Sequence, residues 1–459
     1  MFTRITNFAY KLLGSFWIVP AVMAVLGALS AQVFLALDRL LSGMGIESEF
    51  LPLIGGGREG AQETLSTVAS SMVSVVSVTF SVTIVALVMA SSQFGPRLLG
   101  TILRDRRSQA CLGVFLLTYL HNLLVLHSLD ALPPDSEARL AVTMGLALGV
   151  LSFFVLIYFI QHVAQSIKAD QVIALVYNDL LENIRRLYPR EYTLEDLRKA
   201  RDLRETEIRE SEEPGREEPA LPKDFKAQSY AVRSRSSGYV QALSADRIQR
   251  LAESRDVVVQ VLVRPGDFLI AGRRIALIWP YEKHGDELER EIWNALVLGA
   301  DRTLYQDLEY AIYQIVEVAL RALSPGINDP HTAIACVDRL AAALADLARR
   351  DMGSPSRLNE QGRVRVQFKP FTFDGAVEAS FHKIRQAMHS GPTVGIHMLE
   401  VLAAVAEVAP RSEQRVVLLE QGRMVLSALE RILEEENDII DARDRFDVLR
   451  RVAQGLPSE

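Results

Sequence analysis

The sequence predicts a mainly α-helical membrane protein, with about four transmembrane helices followed by a cytoplasmic region that holds a small β-barrel-like module and a helical bundle. Two observations carry this expectation. Long apolar runs crowd residues 14–162 and then stop, and the charged remainder alternates short β-branched stretches with helical periodicity. The formal net charge of -7 over 459 residues therefore describes neither half.

A bilayer core takes roughly 20 apolar residues as helix, and four segments supply them: 14–38, 65–94, 110–130 and 139–162. Arg4 and Lys11 ahead of the first run, with Ala28-Leu29-Ser30 inside it, imitate a secretory signal. The run continues to Leu37, beyond a signal core of about 7–15 residues, so it reads as an uncleaved anchor. The second run exceeds what the hydrocarbon requires and is expected to tilt or project.

Orientation follows from the loops. Arg4, Lys11, Arg97, Arg104, Arg106, Arg107, Lys168, Arg185 and Arg186 fall on one side, while Asp38, Glu47, Glu49, Glu59, Glu63, Asp130, Asp135 and Glu137 fall on the other, diluted by Arg39, Arg58 and Arg139. The basic side is cytoplasmic by the positive-inside rule, which places both termini inside a bacterial inner membrane. Gly145 and Gly149 in span four, and Ala24, Gly27, Ala28 and Ala31 in span one, permit close helix approach, expected mainly within one subunit.

The chain divides into a transmembrane domain (1–165), a helical extension with a Glu/Pro-rich linker (166–225), a small β module (226–281) and an α-helical cytoplasmic domain (282–459). The linker ESEEPGREEPALPKD is too polar to bury a core. The β module is read from VVVQVLVRPGDFLIAGRRIALIWP, where Pro265-Gly266-Asp267 and Ala271-Gly272 punctuate alternating apolar runs. Its outline is similar to biotinyl and lipoyl carriers, but no Lys lies between Lys226 and Lys283 to receive such a group. Helical periodicity covers 285–322, 330–350, 372–390, 393–409 and 412–454, with a short extended piece at 364–370.

Four polar motifs stand out. Ser66, Ser70, Ser74, Ser77 and Ser81 share one face of span two, which continues into Val85 and Val88. Small hydroxyls of this kind back-bond to their own helix and pack on a neighbour, or they line water with the valines as an apolar constriction. At the end of that span stand Gln93, Pro96 and Arg97, where proline interrupts the helix and arginine meets headgroups or a pore mouth. Span three carries Thr118, His121, Asn122 and His127, expected to bond between helices, since no span has a mid-depth carboxylate for a proton relay. The last is a polar set in the cytoplasmic domain: Asp307, Tyr310, Gln314 and Glu317 on one helix, then Asn328 and Asp329 in SPGINDP, where Asp329 suits a cap and Pro330 a first helical turn.

The chemistry of catalysis is poorly represented. No HExxH, Walker loop, nucleophile elbow or zinc-type Cys/His spacing occurs, and Cys111 and Cys336 read as buried free thiols. No enzyme activity, metal, cofactor or nucleic-acid partner is expected.

The stretches SVTFSVTIVALVMASSQFGPRLL, SSGYVQAL, RPGDF and ALSPGINDPHTAIACVDRL together resemble the bacterial predicted membrane proteins of domain-of-unknown-function family 2254. The resemblance covers nearly the whole chain and implies an integral inner-membrane protein, without supplying an activity. The leading expectation is a homo-oligomeric channel or conductance-type protein, with span two lining the pathway for an unspecified ion or solute and a regulatory cytoplasmic domain. The alternative is a membrane-anchored sensor or scaffold whose cytoplasmic domain binds a ligand or partner.

Overall fold

The structure, a computed structural model, describes residues 16–43, 57–95, 105–131, 138–166, 168–192, 221–283 and 285–456. These fall into two compact units that divide between Val172 and Ile173.

The N-terminal unit is built from four helices, each long and apolar enough to cross a membrane: α1 (Ile18–Gly43), α2 (Gly57–Phe94), α3 (Arg106–Ala131) and α4 (Arg139–Ser166). α3 packs against all three others and is the most covered, whereas α2 is the least covered. Close packing rests on glycine. A Cβ on Gly27 of α1 would collide with the Leu117 backbone of α3, while Gly145 and Gly149 of α4 face Asn122 and Leu65, and Val68, respectively. Both GxxxG glycines thus serve contacts within the chain.

The termini of these helices are held by side chains from other elements. Asp38, near the end of α1, accepts the amides of Leu140 and Ala141 at 2.9 and 3.0 Å, so a carboxylate from one helix satisfies the orphan first-turn donors of another. Asp105 caps α3 through the Arg107 and Ser108 amides and pairs with His162 of α4 at 2.6 Å.

Helix α5 (Ala169–Leu187) runs across the division between the units, and its larger part, in the C-terminal unit, contributes buried Val176, Leu180 and Ile184. The strands are β1 (Tyr230–Arg233), β2 (Gly238–Leu243), β3 (Val258–Val261), β4 (Phe268–Leu269), β5 (Arg274–Trp279), β6 (Leu296–Gly299), β7 (Ser356–Leu358) and β8 (Val364–Gln367). They form two open sheets, ordered β1-β5-β3-β8-β7 and β4-β2-β6, and no closed barrel exists among the described residues. The barrel-like expectation is corrected here. Consecutive β1 and β2 join different sheets, and helix α6 (Ala245–Ser254) separates β2 from β3. The core between them contains Val240, Ile248, Val259, Leu269, Ile275 and Ile278.

The helices are α7 (Asp286–Trp293), α8 (Leu308–Ala322), α9 (Pro330–Ala348), α10 (Phe373–Ala387), α11 (Pro392–Val408), α12 (Ser412–Ile432) and α13 (Glu436–Ala453). Two expected helices are therefore interrupted. Residues 285–322 contain β6, whose Leu296-Val297-Leu298 run pairs with β2, and residues 412–454 break at extended Leu433, beside a run of three glutamates that disfavours helix continuation by like-charge repulsion. α11 packs between α9, α12 and α13, and α8 packs on α9 and α10.

Candidate functional site

On α2 the buried side is Ala61, Leu65, Ala69, Met72 and Thr79, which faces α3 and α4. Helical spacing then turns the serines outward. Ser66, Ser70, Ser74, Ser77, Ser81, Val85 and Val88 are all exposed, and so are Glu59, Glu63 and Ser92 on the same face. The hydroxyls of Ser70, Ser77 and Ser81 donate to the carbonyls of Thr67, Val73 and Ser77 at 3.1, 2.9 and 3.0 Å. They back-bond to their own helix, as such hydroxyls do in apolar surroundings. Among the described residues, no helix seals them. Val73, Val78, Ile84 and Met89 are exposed on α2 as well, so its outward side mixes hydroxyls with apolar side chains, whereas the exposed side of α4 presents Val150, Leu151, Phe153, Phe154, Ile157 and Ile160.

Gln93 is exposed at the end of α2, and Gly95 follows at φ +109° with its amide donating to Ser91 O. Pro96 and Arg97 lie outside the described residues.

Three polar residues of α3 are internal because α3 packs against the other three helices. Thr118, His121 and Asn122 are fully buried. Thr118 Oγ1 lies 2.8 Å from Ser152 Oγ of α4, and His121 bonds Ser30 of α1 through Nδ1 and the Ala141 carbonyl of α4 through Nε2. Asn122 Nδ2 donates to Thr118 O at 2.8 Å. His127 is exposed. These contacts tie helices together, whereas the serine row on α2 is left uncovered among the described residues.

In the C-terminal unit the expected polar set separates. Asp307 caps α8 through the Tyr310 amide at 3.0 Å. Gln314 is buried on the same helix and Glu317 half-buried. Asn328 and exposed Ile327 lie past the other end of α8, and Asp329 caps α9 through Thr332. A helix of 15 residues is about 22 Å long, so Asp307 and Asp329 do not share a site.

Asp307 belongs instead to an ion network that the sequence did not reveal as such. Arg302 grips it through Nε and Nη2 at 2.7 and 2.8 Å, Arg264 pairs with Glu309 at 2.7 Å, and Lys369 pairs with Asp267 at 3.1 Å. Burial raises the Asp307 pKa while Arg302 and the Tyr310 amide pull it back. For Arg302, burial acts downward, but the Asp307 carboxylate keeps its pKa above the ordinary value. The signal was present in Arg-Pro-Gly-Asp, read only as a turn. Gly266 sits at φ +94°, and the Asp307 carboxylate and the Arg302 guanidinium occupy the space a Cβ would need. A cavity of about 140 Å³ adjoins this network, lined by Tyr188, Arg264, Glu309, Lys369 and Phe371.

A larger groove of about 490 Å³ is lined by Met352, Phe371, Phe373, Asp374, Arg411 and Val417, among others. Arg411 stacks over the Tyr192 ring at 4.2 Å and bonds its hydroxyl, which in turn donates to Asp351. Burial lowers the Arg411 pKa, and no carboxylate pairs with it directly among the described residues. Among the described residues, no group of three or more His, Cys, Asp or Glu side chains is placed to hold a metal ion.

A family model described as a predicted membrane protein (DUF2254) matches residues 14–404. An uncharacterized protein of Mycobacterium bovis and one of Mycobacterium tuberculosis strain H37Rv are each 30% identical over 433 residues, which is 93% of this chain and 78% of theirs. No solved structure matches the chain.

Proposed function

Because the chain belongs to the DUF2254 family of predicted membrane proteins, we propose from that premise that it is a homo-oligomeric channel of the bacterial inner membrane, with both termini cytoplasmic and α2 of each copy lining a shared aqueous pathway. One observation carries the reading: the row from Ser66 to Ser81 is exposed on the four-helix unit, while Thr118, His121 and Asn122 of α3 are buried and bonded within it. A surface of hydroxyls gains little from lipid and becomes useful when copies meet around water. Val85 and Val88 continue the same face and would narrow the conduit to an apolar ring that gates by dewetting. The C-terminal unit then serves as the regulatory part. The test is current through planar bilayers: Val88→Ser raises the leak of the reconstituted chain, and an unchanged leak sinks the proposal.

The sensor reading draws on a separate observation, the groove beside Arg411. A guanidinium held against Tyr192 with no carboxylate partner among the described residues, in a groove that Phe371 and Phe373 line together with Asp374 and Glu413, suits a ligand with one anionic group and an apolar body. Ligand-induced protection of Arg411 from a guanidine-directed reagent, retained in Val88→Ser because the groove is lined by residues 352–417 alone, would favour it.

A further inference from the structure

Two loops at one end of the β strands form a basic surface that the ion network does not use. The β1–β2 loop and the β4–β5 turn are zipped together: Ser234 N donates to Arg273 O, Gly272 N to Ser234 O, and Ala271 N to Ser237 Oγ. Arg233, Arg235, Arg273 and Arg274 are all exposed on them. Arg233 and Arg274 stand directly opposite in the β1–β5 ladder. Like charges in that relationship repel, so the arrangement costs stability unless an anion meets it. The recorded side-chain bonds here are from Arg233 to Gly272 O and from Arg273 to Phe268 O, both to backbone carbonyls, and none of the four arginines makes an ion pair among the described residues.

The same end carries apolar tips. Ile270, which opens the turn, is 63% exposed and Phe268 47%. Phe268 is braced edge-on by Tyr239, with ring centroids 5.0 Å apart. Arginines around protruding aliphatic and aromatic side chains match a bilayer interface, where the cations meet anionic headgroups and the apolar tips enter the acyl boundary. The candidate spans belong to the same polypeptide, so the bilayer they suit is within reach of the chain that carries this surface.

We infer that Arg233, Arg235, Arg273 and Arg274, with Phe268 and Ile270, dock the C-terminal unit on an anionic lipid surface. The inference is independent of whether the protein conducts.

The test places an environment-sensitive fluorophore at Ile270→Cys in the full chain; Cys111 and Cys336 are buried, which directs the label to one position. The labelled chain is reconstituted into nanodiscs of brominated phosphatidylcholine, with or without phosphatidylglycerol. The expected result is quenching only where phosphatidylglycerol is present, reversed by molar salt because screening shortens the reach of exposed charges. Arg273→Gln with Arg274→Gln should lower the docked-to-free ratio by about 25-fold, and Arg273→Lys with Arg274→Lys should retain docking. The inference is overturned by equal emission in both discs, or by quenching that salt and the glutamines leave untouched. Energy transfer between labelled copies in place of lipid quenching also overturns it, since the surface would then meet a second chain.

Discussion

Gly266 stands where any side chain would run into the Asp307 carboxylate, so a turn between two strands and the start of α8 are fitted to each other. Gly266→Ala must both hold a positive φ and displace a paired, buried acid. The expected loss is about 2 to 4 kcal/mol. Gly272 supplies the comparison, because its φ is +86° and nothing lies within contact of a Cβ there; Gly272→Ala should lose only about 1 to 2 kcal/mol. Denaturant unfolding followed by tryptophan fluorescence measures both, and equal losses would refute the steric component.

Thr118 and Ser152 join α3 to α4 through one buried hydroxyl pair. A double-mutant cycle with Thr118→Val and Ser152→Ala should return a coupling of about 0.6 kcal/mol, the usual worth of a hydrogen bond between membrane helices. A coupling of zero would mean that the hydroxyls find other partners.

The carboxylate of Asp329 accepts from the Thr332 hydroxyl at 2.6 Å and from its amide at 3.1 Å, and chiefly the hydroxyl bond holds its pKa below the usual value. A depressed pKa in the folded state stabilises above the unfolded value of about 3.9 and fades as pH falls through the folded one. Asp329→Ala should therefore cost about 1 kcal/mol at neutral pH, and less on acidification below about pH 4. Asp329→Asn should keep the cap and lose the pH dependence. A cost for Asp329→Ala that does not change with pH contradicts this account.

Ser74 and Phe154 are both exposed on the four-helix unit, yet the channel reading gives them different surroundings. Ser74→Cys in the oligomer should react with a charged, membrane-impermeant thiol reagent at least tenfold faster than Phe154→Cys. Equal sluggish rates would put both side chains in lipid.

The membrane helices were legible because a run of apolar residues has few other uses, and the caps at Asp329 and Pro330 were legible because they act within a few residues of themselves. Where partners lie far apart in sequence, the reading ran out. Asp38 looked like a loop acid, and its service to the amides of Leu140 and Ala141 depends on packing between α1 and α4. The α8 residues from Asp307 to Glu317 suggested a polar face, but Arg302, which pairs with Asp307, and the Gly266 turn packed on it decide what Asp307 does, and neither belongs to that periodicity. The strand at Leu296 was hidden inside a helical pattern because its justification is pairing with β2. For the serine row, spacing identified the face, while its outward direction required the positions of α3 and α4.

The central position of β3 delays the completion of its sheet during synthesis. Its far neighbour is β8, parallel to it through Val259 opposite Val366, and everything from α6's sequel to β7 must leave the ribosome before that partner arrives. Until then one flank of β3 is an unfilled template, open to strands from other nascent chains. Premature termination ahead of Val364 thus produces a sticky fragment rather than a smaller working protein.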